Sequence, residues 1–198
     1  MFEKEIIIDG KDHLLGRLAS SIAKELLNGQ RVVVVRCEAI CKSGSLFRNK
    51  VEWMEFLNKK ATHNPRKWFV HYRSPSRTLW RTIRGMVSHK TPRGAAALGK
   101  LKVFEGMPTP YDTCKKQVVT DALRVVRLKN HRAYCKLGDL MSQVGWKKAN
   151  LVDALEEKRR SRAKVYQENK TKKAGFRAKA LALPEMKTLQ EKLSIMGY

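Results

Sequence analysis

Apolar residues at the start of the chain alternate between short solid runs and helical spacing. The run at 5–8, "EIII", ends at Asp9-Gly10 and predicts a buried strand. Over 14–28, Leu15, Leu18, Ile22 and Leu26 recur at helical intervals, and Asn28-Gly29 supplies a stop. "RVVVVR" at 31–36 is too uniformly apolar for an exposed edge, so it predicts a central strand covered on both faces. Residues 45–60 predict a second helix, with Phe47, Val51, Met54 and Leu57 on one side. "WFVHY" at 68–72 reads as a third strand and "KLKVFEG" at 100–106 as a fourth. Between them, 74–89 predicts a helix opened by Ser74-Pro75. Strand and helix thus alternate over the first hundred residues, which favours a mostly parallel α/β sheet.

"GMPTPYD" at 106–112 interrupts that alternation with two prolines and a glycine. Residues 118–132 read as a short helix running into a basic loop. Residues 149–170 are rich in good helix formers around Leu151 and Leu155, and a last helix is expected over 184–196. This tail carries few large apolar residues. It reads as an extension docked on a partner, not as an independent domain. The expected division is a core domain over 1–148 and a helical extension over 149–198, with no internal repeats.

Charge narrows the choice of partner. Among 198 residues, 42 Lys and Arg face 18 Asp and Glu, a net charge of +24. Residues 1–60 hold 11 basic and 8 acidic side chains, whereas 61–148 hold 19 and 4. From Phe56 to Phe104 there is no acid at all. That stretch contains Lys59, Lys60, Arg66, Lys67, Arg73, Arg77, Arg81, Arg84, Lys90, Arg93, Lys100 and Lys102. A merely solvated face mixes signs, so an acid-free, Arg-rich stretch argues for phosphate contact. Such a surplus calls for a polyanion. A membrane is the weaker alternative, because no apolar run approaches the ~18 residues of a spanning helix. The first residues carry acids early and show no apolar signal core, so secretion is not expected. Cys37, Cys41, Cys114 and Cys135 are too few and scattered for a disulfide framework, and read as reduced thiols.

A strand, a glycine-bracketed turn and a helix at 6–27 pose the question of a nucleotide. Five residues separate Gly10 from Gly16, one more than a Walker A loop has, and Arg17-Leu18 stands where Lys-Ser/Thr is required. Tight strand-to-helix packing is the plainer reading of both glycines. Arg17, in the first helical turn beside free backbone N–H groups, remains a candidate for a polymer's phosphate. The 74–89 helix is sharper. At about 100° per residue, Arg77, Arg81 and Arg84 fall within roughly 60° of one another, with Leu79, Ile83 and Met86 nearly opposite. One face is core and the other a guanidinium stripe suited to a nucleic-acid backbone. Trp68, Tyr72 and Trp80 lie among these arginines, either as base-stacking platforms or as core aromatics. His89, Lys90, Arg93 and Lys100 surround Gly94 and Gly99 in a basic loop leading to an Ala-rich helix, where glycine would let backbone approach a ligand. Cys37 and Cys41 lack a second pair, and the five histidines show no ligand spacing, so neither a metal nor a catalytic dyad is expected.

In order, "IDGKDHLLGRLAS", "LLNGQRVVVVR", "SGSLFRNKVEWMEFL", "SPSRTLWRTIRGMVSHKTPRGAAALGKLKVFEGMPTPYD" and "ALRVVRLKNHRAYCKLGDLMSQVGWK" closely resemble the ribosomal protein thirteen family of the large subunit, in its eukaryotic cytosolic form. The resemblance covers roughly residues 5–150. It implies a three-layer α/β/α core with a four-stranded parallel sheet and a basic helical C-terminal extension. It also implies a structural, non-enzymatic role on large-subunit (60S) ribosomal RNA, supporting subunit assembly and translation, with no cofactor, metal or small-molecule substrate. Neighbouring large-subunit proteins are expected partners, met through 149–198. The expected location is the cytoplasmic ribosome, after assembly in the nucleus and nucleolus. Carried onto this chain, the family's basic motifs mark Arg17, Arg48, Arg73, Arg77, Arg84, His89, Lys90 and Arg93 as RNA-facing. The charge pattern adds Arg66, Lys67, Arg81, Lys100 and Lys102. A regulatory RNA-binding role off the ribosome is the alternative within the same chemistry.

Overall fold

The computed structural model describes residues 4–68, 70–183, 186, 189 and 193–195. Contacts divide the chain into two units, Met1–Asp153 and Ala154–Tyr198. In the first, strands β1 (Ile6–Asp9), β2 (Val32–Val35) and β4 (Leu101–Val103) form a parallel sheet in the order β1-β2-β4. Register places Ile6 beside Val32 and Val32 beside Leu101. All four valines of β2 are buried, as a central strand requires. Val32 and Val34 enter the main core beside Leu18, Ile22 and Leu26 of α1 (Leu15–Asn28) and Leu79 and Ile83 of α3 (Pro75–Met86). Val33 and Val35 point the other way, with Ile7, into a small cluster closed by Phe104, Met107 and Tyr111.

This corrects the expected four-stranded, three-layer architecture. The sheet has three parallel strands, and its second face is closed by the 104–111 loop instead of a helical layer. The described residues of 68–72 form no strand. They follow a 3-10 turn at Pro65–Lys67, and His71 and Tyr72 pack edge-on against Phe56 and Trp80. Phe69 of that stretch lies outside the described residues. On the free side of β1 the fourth position shrinks to one residue. Gln117 donates to Ile7 O at 2.7 Å and accepts from Asp9 N at 3.1 Å. A separate antiparallel pair joins β3 (Cys41–Ser43) to β5 (Tyr134–Lys136).

α2 (Leu46–Asn58) presents a different face from the one its apolar spacing suggests. Phe47, Val51 and Met54 are exposed, and Asn49 is buried. The Asn49 amide donates to the carbonyls of Ser43, Gly44 and Ser45 at 3.0–3.1 Å, and that polar anchor fixes the helix rotation. Trp53 and Leu57, flanking this line, pack on the core. α3 behaves as its wheel suggests except for Met86, which is exposed at the helix end. α4 (Pro92–Gly99) and the short α5 (Arg124–Arg127) follow expectation. α6 (Leu137–Gln143), which buries Leu137, Leu140 and Met141, has no counterpart among the expected elements. α7 (Ala149–Leu181) runs eleven residues past the expected 170. The further helix expected over 184–196 falls largely outside the described residues.

Candidate nucleic-acid interface

The Gly10–Gly16 turn is filled by the protein's own chain. A Cβ on Gly10 would sit 3.0 Å from both Ile40 Cγ1 and Val35 O, tight enough that any side chain there would push the surrounding chain back by a few tenths of an ångström. Gly16 is exposed and meets nothing within 4 Å, so packing does not explain it. The turn's backbone groups bind neighbouring segments: Leu14 N donates to Ala122 O at 2.8 Å, Cys41 N to His13 O at 2.8 Å, and Arg124 N to Asp12 O at 2.9 Å. His13, fully buried, completes the knot. Its Nδ1 lies 2.9 Å from Lys11 O and its Nε2 accepts from Val119 N at 3.0 Å, which fixes a neutral ring with the proton on Nδ1. Asp9 accepts from Arg36 across the mouth of the turn. Burial alone would raise the Asp9 carboxyl, but the Arg36 donors and the Lys11 amide hold it below its ordinary value. Strand, turn and helix here serve the fold, leaving Arg17 exposed on the first turn of α1.

α3 builds the most organised cationic face. Ser74 caps it, its Oγ accepting from Arg77 N at 3.3 Å, and Pro75 supplies the pre-set first turn. With Leu79 and Ile83 fully buried, Arg77, Arg81 and Arg84 are turned away from the core. Each guanidinium lies against an aromatic ring. Arg81 stacks on Phe56 of α2 at 3.8 Å. Arg77 lies 5.8 and 5.7 Å from the Tyr72 and Trp80 ring centroids, and Arg84 lies 5.9 Å from that of Trp80. Tyr72 and Trp80 themselves meet edge to face at 6.1 Å. These contacts restrict rotamers, so less side-chain entropy is lost when an anion is bound. Partial burial, and then the neighbouring charge of Arg84, hold the Arg81 guanidinium below its ordinary value, and an incoming anion relieves that strain on the charged form. Val70, Tyr72, Trp80, Arg81 and Arg84 line an open cleft of about 560 Å³. The two aromatic readings therefore merge: Tyr72 and Trp80 are half-buried supports for guanidinium groups, while Trp68 is 46% exposed.

The loop to α4 continues this face. Arg84 Nη2 lies 3.0 Å from His89 Nε2. A guanidinium only donates, so Nε2 accepts and the His89 proton sits on Nδ1. Thr91 closes the loop, donating to Ser88 O at 2.7 Å and accepting from Gly94 N at 3.2 Å. Gly94 allows a close approach, but the backbone it admits is that of Ser88 and His89, not that of a ligand. Gly99 meets nothing within 4 Å. Lys90 and Arg93 are exposed at this end.

The remaining expected residues divide. Arg66 and Lys67 are exposed in the Pro65–Lys67 turn. The exposed Arg73 has its guanidinium beside Gly145. Lys102 pairs with Glu5 at 2.8 Å within the chain, whereas the exposed Arg48, 3.3 Å from Glu52, shares that carboxylate with Lys42 at 3.2 Å and keeps a net positive site. The Glu5 and Tyr111 hydrogen bonds hold the Lys102 ammonium above its ordinary value. Lys100 places its ammonium 3.7 Å from where a Gly29 Cβ would stand, at the C-terminal end of α1 that favours a cation. Sequence reasoning missed the part played by Phe56, because its partner Arg81 comes from another helix.

The model of the family described as ribosomal protein L13 matches residues 3–110. The large ribosomal subunit protein uL13 of Tetrahymena thermophila is 62% identical over 198 residues, spanning all of both chains. The large ribosomal subunit protein uL13 of Dictyostelium discoideum is 51% identical over 182 residues, 91% of this chain and 97% of that one. With the fold's basic face and these matches together, the chain belongs to the ribosomal protein L13 family.

Proposed function

We propose that this chain is a structural, non-catalytic component of the large ribosomal subunit that clamps folded ribosomal RNA with the exposed side of α3 and the loop leading to α4. The observation that carries the reading is the set of three arginines on one helix face, each resting on an aromatic ring, inside a stretch of chain without a single acid. Guanidinium forks are matched to phosphate oxygens, and rings beneath them leave the N–H edges outward. Arg77, Arg81, Arg84, His89, Lys90 and Arg93 form the principal contact set; Arg17, Arg66, Lys67 and Arg73 are outlying contacts. Arg48, exposed and sharing Glu52 with Lys42, is a further outlying contact; Lys100 and Lys102 are assigned to the fold. The Met1–Asp153 unit is the RNA-binding body, and other large-subunit proteins are its neighbours. The location that goes with this role is the cytoplasmic ribosome, reached through nuclear assembly.

Charge reversal tests the reading. Two charge-assisted contacts, at about 1.5–3 kcal/mol each, predict that Arg81→Glu with Arg84→Glu weakens association with large-subunit rRNA at least 100-fold. Because Arg81 also packs on Phe56, circular dichroism and the milder Arg84→Gln with Lys90→Gln accompany it. Unchanged RNA affinity in both variants, with the fold retained, overturns the assignment.

A further inference from the structure

The sequence suggests that α7 docks on a neighbouring protein, but its face argues for a different partner. At about 100° per residue, Leu155, Val165, Tyr166 and Phe176 fall in one sector roughly 100° wide. All four are exposed. They do not form a continuous apolar stripe, because Lys158, Arg162 and Lys173 occupy the same sector between them, and Lys172 and Arg177 flank it. The acids of the helix, Asp153, Glu156, Glu157 and Glu168, all lie in a sector about 120° wide on the opposite side. Among the described residues the ion pair found on this helix joins Glu156 of the acidic sector to Arg159, which flanks the mixed face at the same angle as Arg177.

We infer that this mixed face of α7 is a second RNA-binding surface, independent of α3 and resting on the same reading of the chain as an rRNA-binding protein. From Leu155 to Arg177 it extends about 33 Å at 1.5 Å per residue, long enough to follow a groove and its bordering phosphates. A protein groove that takes a helix by its apolar anchors, or a lipid surface, would call for an unbroken apolar stripe. Here Lys158, Arg162 and Lys173 break the stripe between its apolar residues, an interleaving of cation and aromatic that suits a phosphate backbone with exposed sugar and base edges. The segregation of acids to the far side removes repulsion from the RNA side alone.

The experiment compares the full-length protein with two triple variants in binding to purified large-subunit rRNA across a KCl series. Lys158→Gln, Arg162→Gln and Lys173→Gln neutralise the mixed face. Arg160→Gln, Lys164→Gln and Lys170→Gln remove the same charge from other sides, and Gln keeps helix propensity in both. Each lost phosphate contact lowers the log–log salt slope by about 0.7–0.9. The mixed-face variant is expected to lose about 2 to 3 from the slope, and the control variant less than about 1. Equal losses in the two variants, or none, overturn the proposal. So does an unchanged slope combined with loss of the mixed-face variant from sedimenting large subunits, which assigns the face to a protein neighbour. Failure of the α3 charge reversal leaves this slope difference intact, so the two readings fail separately.

Discussion

Replacing Gly94 by alanine and Gly85 by alanine makes the same chemical change in adjacent helices, with opposite expected signs. At Gly85, in α3, a Cβ meets nothing within 4 Å. Only the helix preference of alanine over glycine operates there, and Gly85→Ala should stabilise by about 0.5–1 kcal/mol, less than the full preference because the site is near the helix end. At Gly94 the same preference exists, but the added Cβ would stand 2.5 Å from the carbonyl carbon of Ser88 and closer still to its oxygen. Ordinary carbon contacts lie at about 3.5–4.0 Å, so the 88–91 loop must withdraw by about 1 Å or more. That movement strains the Thr91 bridge between Ser88 O and Gly94 N. Overpacking of this kind costs about 1–3 kcal/mol, which exceeds the propensity gain. Gly94→Ala should therefore destabilise by up to about 2 kcal/mol net and carry His89 away from Arg84. Urea unfolding measures the first effect and affinity for large-subunit rRNA the second. If Gly94→Ala were as stabilising as Gly85→Ala, the close approach of α4 to the loop, and the reasoning built on it, would be wrong.

His13→Ala removes the acceptor for Val119 N and the donor to Lys11 O inside a buried knot, and should cost about 2–5 kcal/mol in urea unfolding; a loss below about 1 kcal/mol would contradict the hub assigned to that ring. Asp9 titrates below its ordinary value in the fold, so its ionised form stabilises at pH above the unfolded carboxyl's range, and that contribution is lost as pH falls through the folded value. Asp9→Asn should destabilise by about 1–3 kcal/mol at neutral pH and flatten the acid limb of a melting-temperature profile; an unchanged acid limb would show that the Arg36 pair is not what that limb reports.

Much of the fold is legible where one physical signal dominates. Four consecutive valines admit little besides a central strand, and Ser74-Pro75 announces the helix that follows. The guanidinium face of α3 is readable because three arginines and two core residues share one helical period. What cannot be read is set by partners distant in sequence. β3 and β5 are three residues each, too short to show alternation, and exist because they pair across ninety residues of chain. Apolar spacing assigns α2 the wrong face because its inward anchor is the polar Asn49, which hydropathy counts as outward. "WFVHY" looks like a strand, yet its rings are used beside Phe56 and Trp80 instead of in a ladder. Basic residues alone do not separate Lys102, held by Glu5, from the arginines of α3.

The central claim is that the α3–α4 end of this chain lies against ribosomal RNA, and a cleaving probe tethered there tests it most directly. Burial raises the thiols of Cys37, Cys41 and Cys135, and Cys114 is exposed, so Ser88→Cys in a Cys114→Ser background offers one reactive site for an iron chelate. In purified large subunits carrying the tethered protein, hydroxyl radicals should cut the large-subunit rRNA at a few clustered positions. A chain that sediments with the subunit while its tether cuts no rRNA above the untethered background would contradict the account.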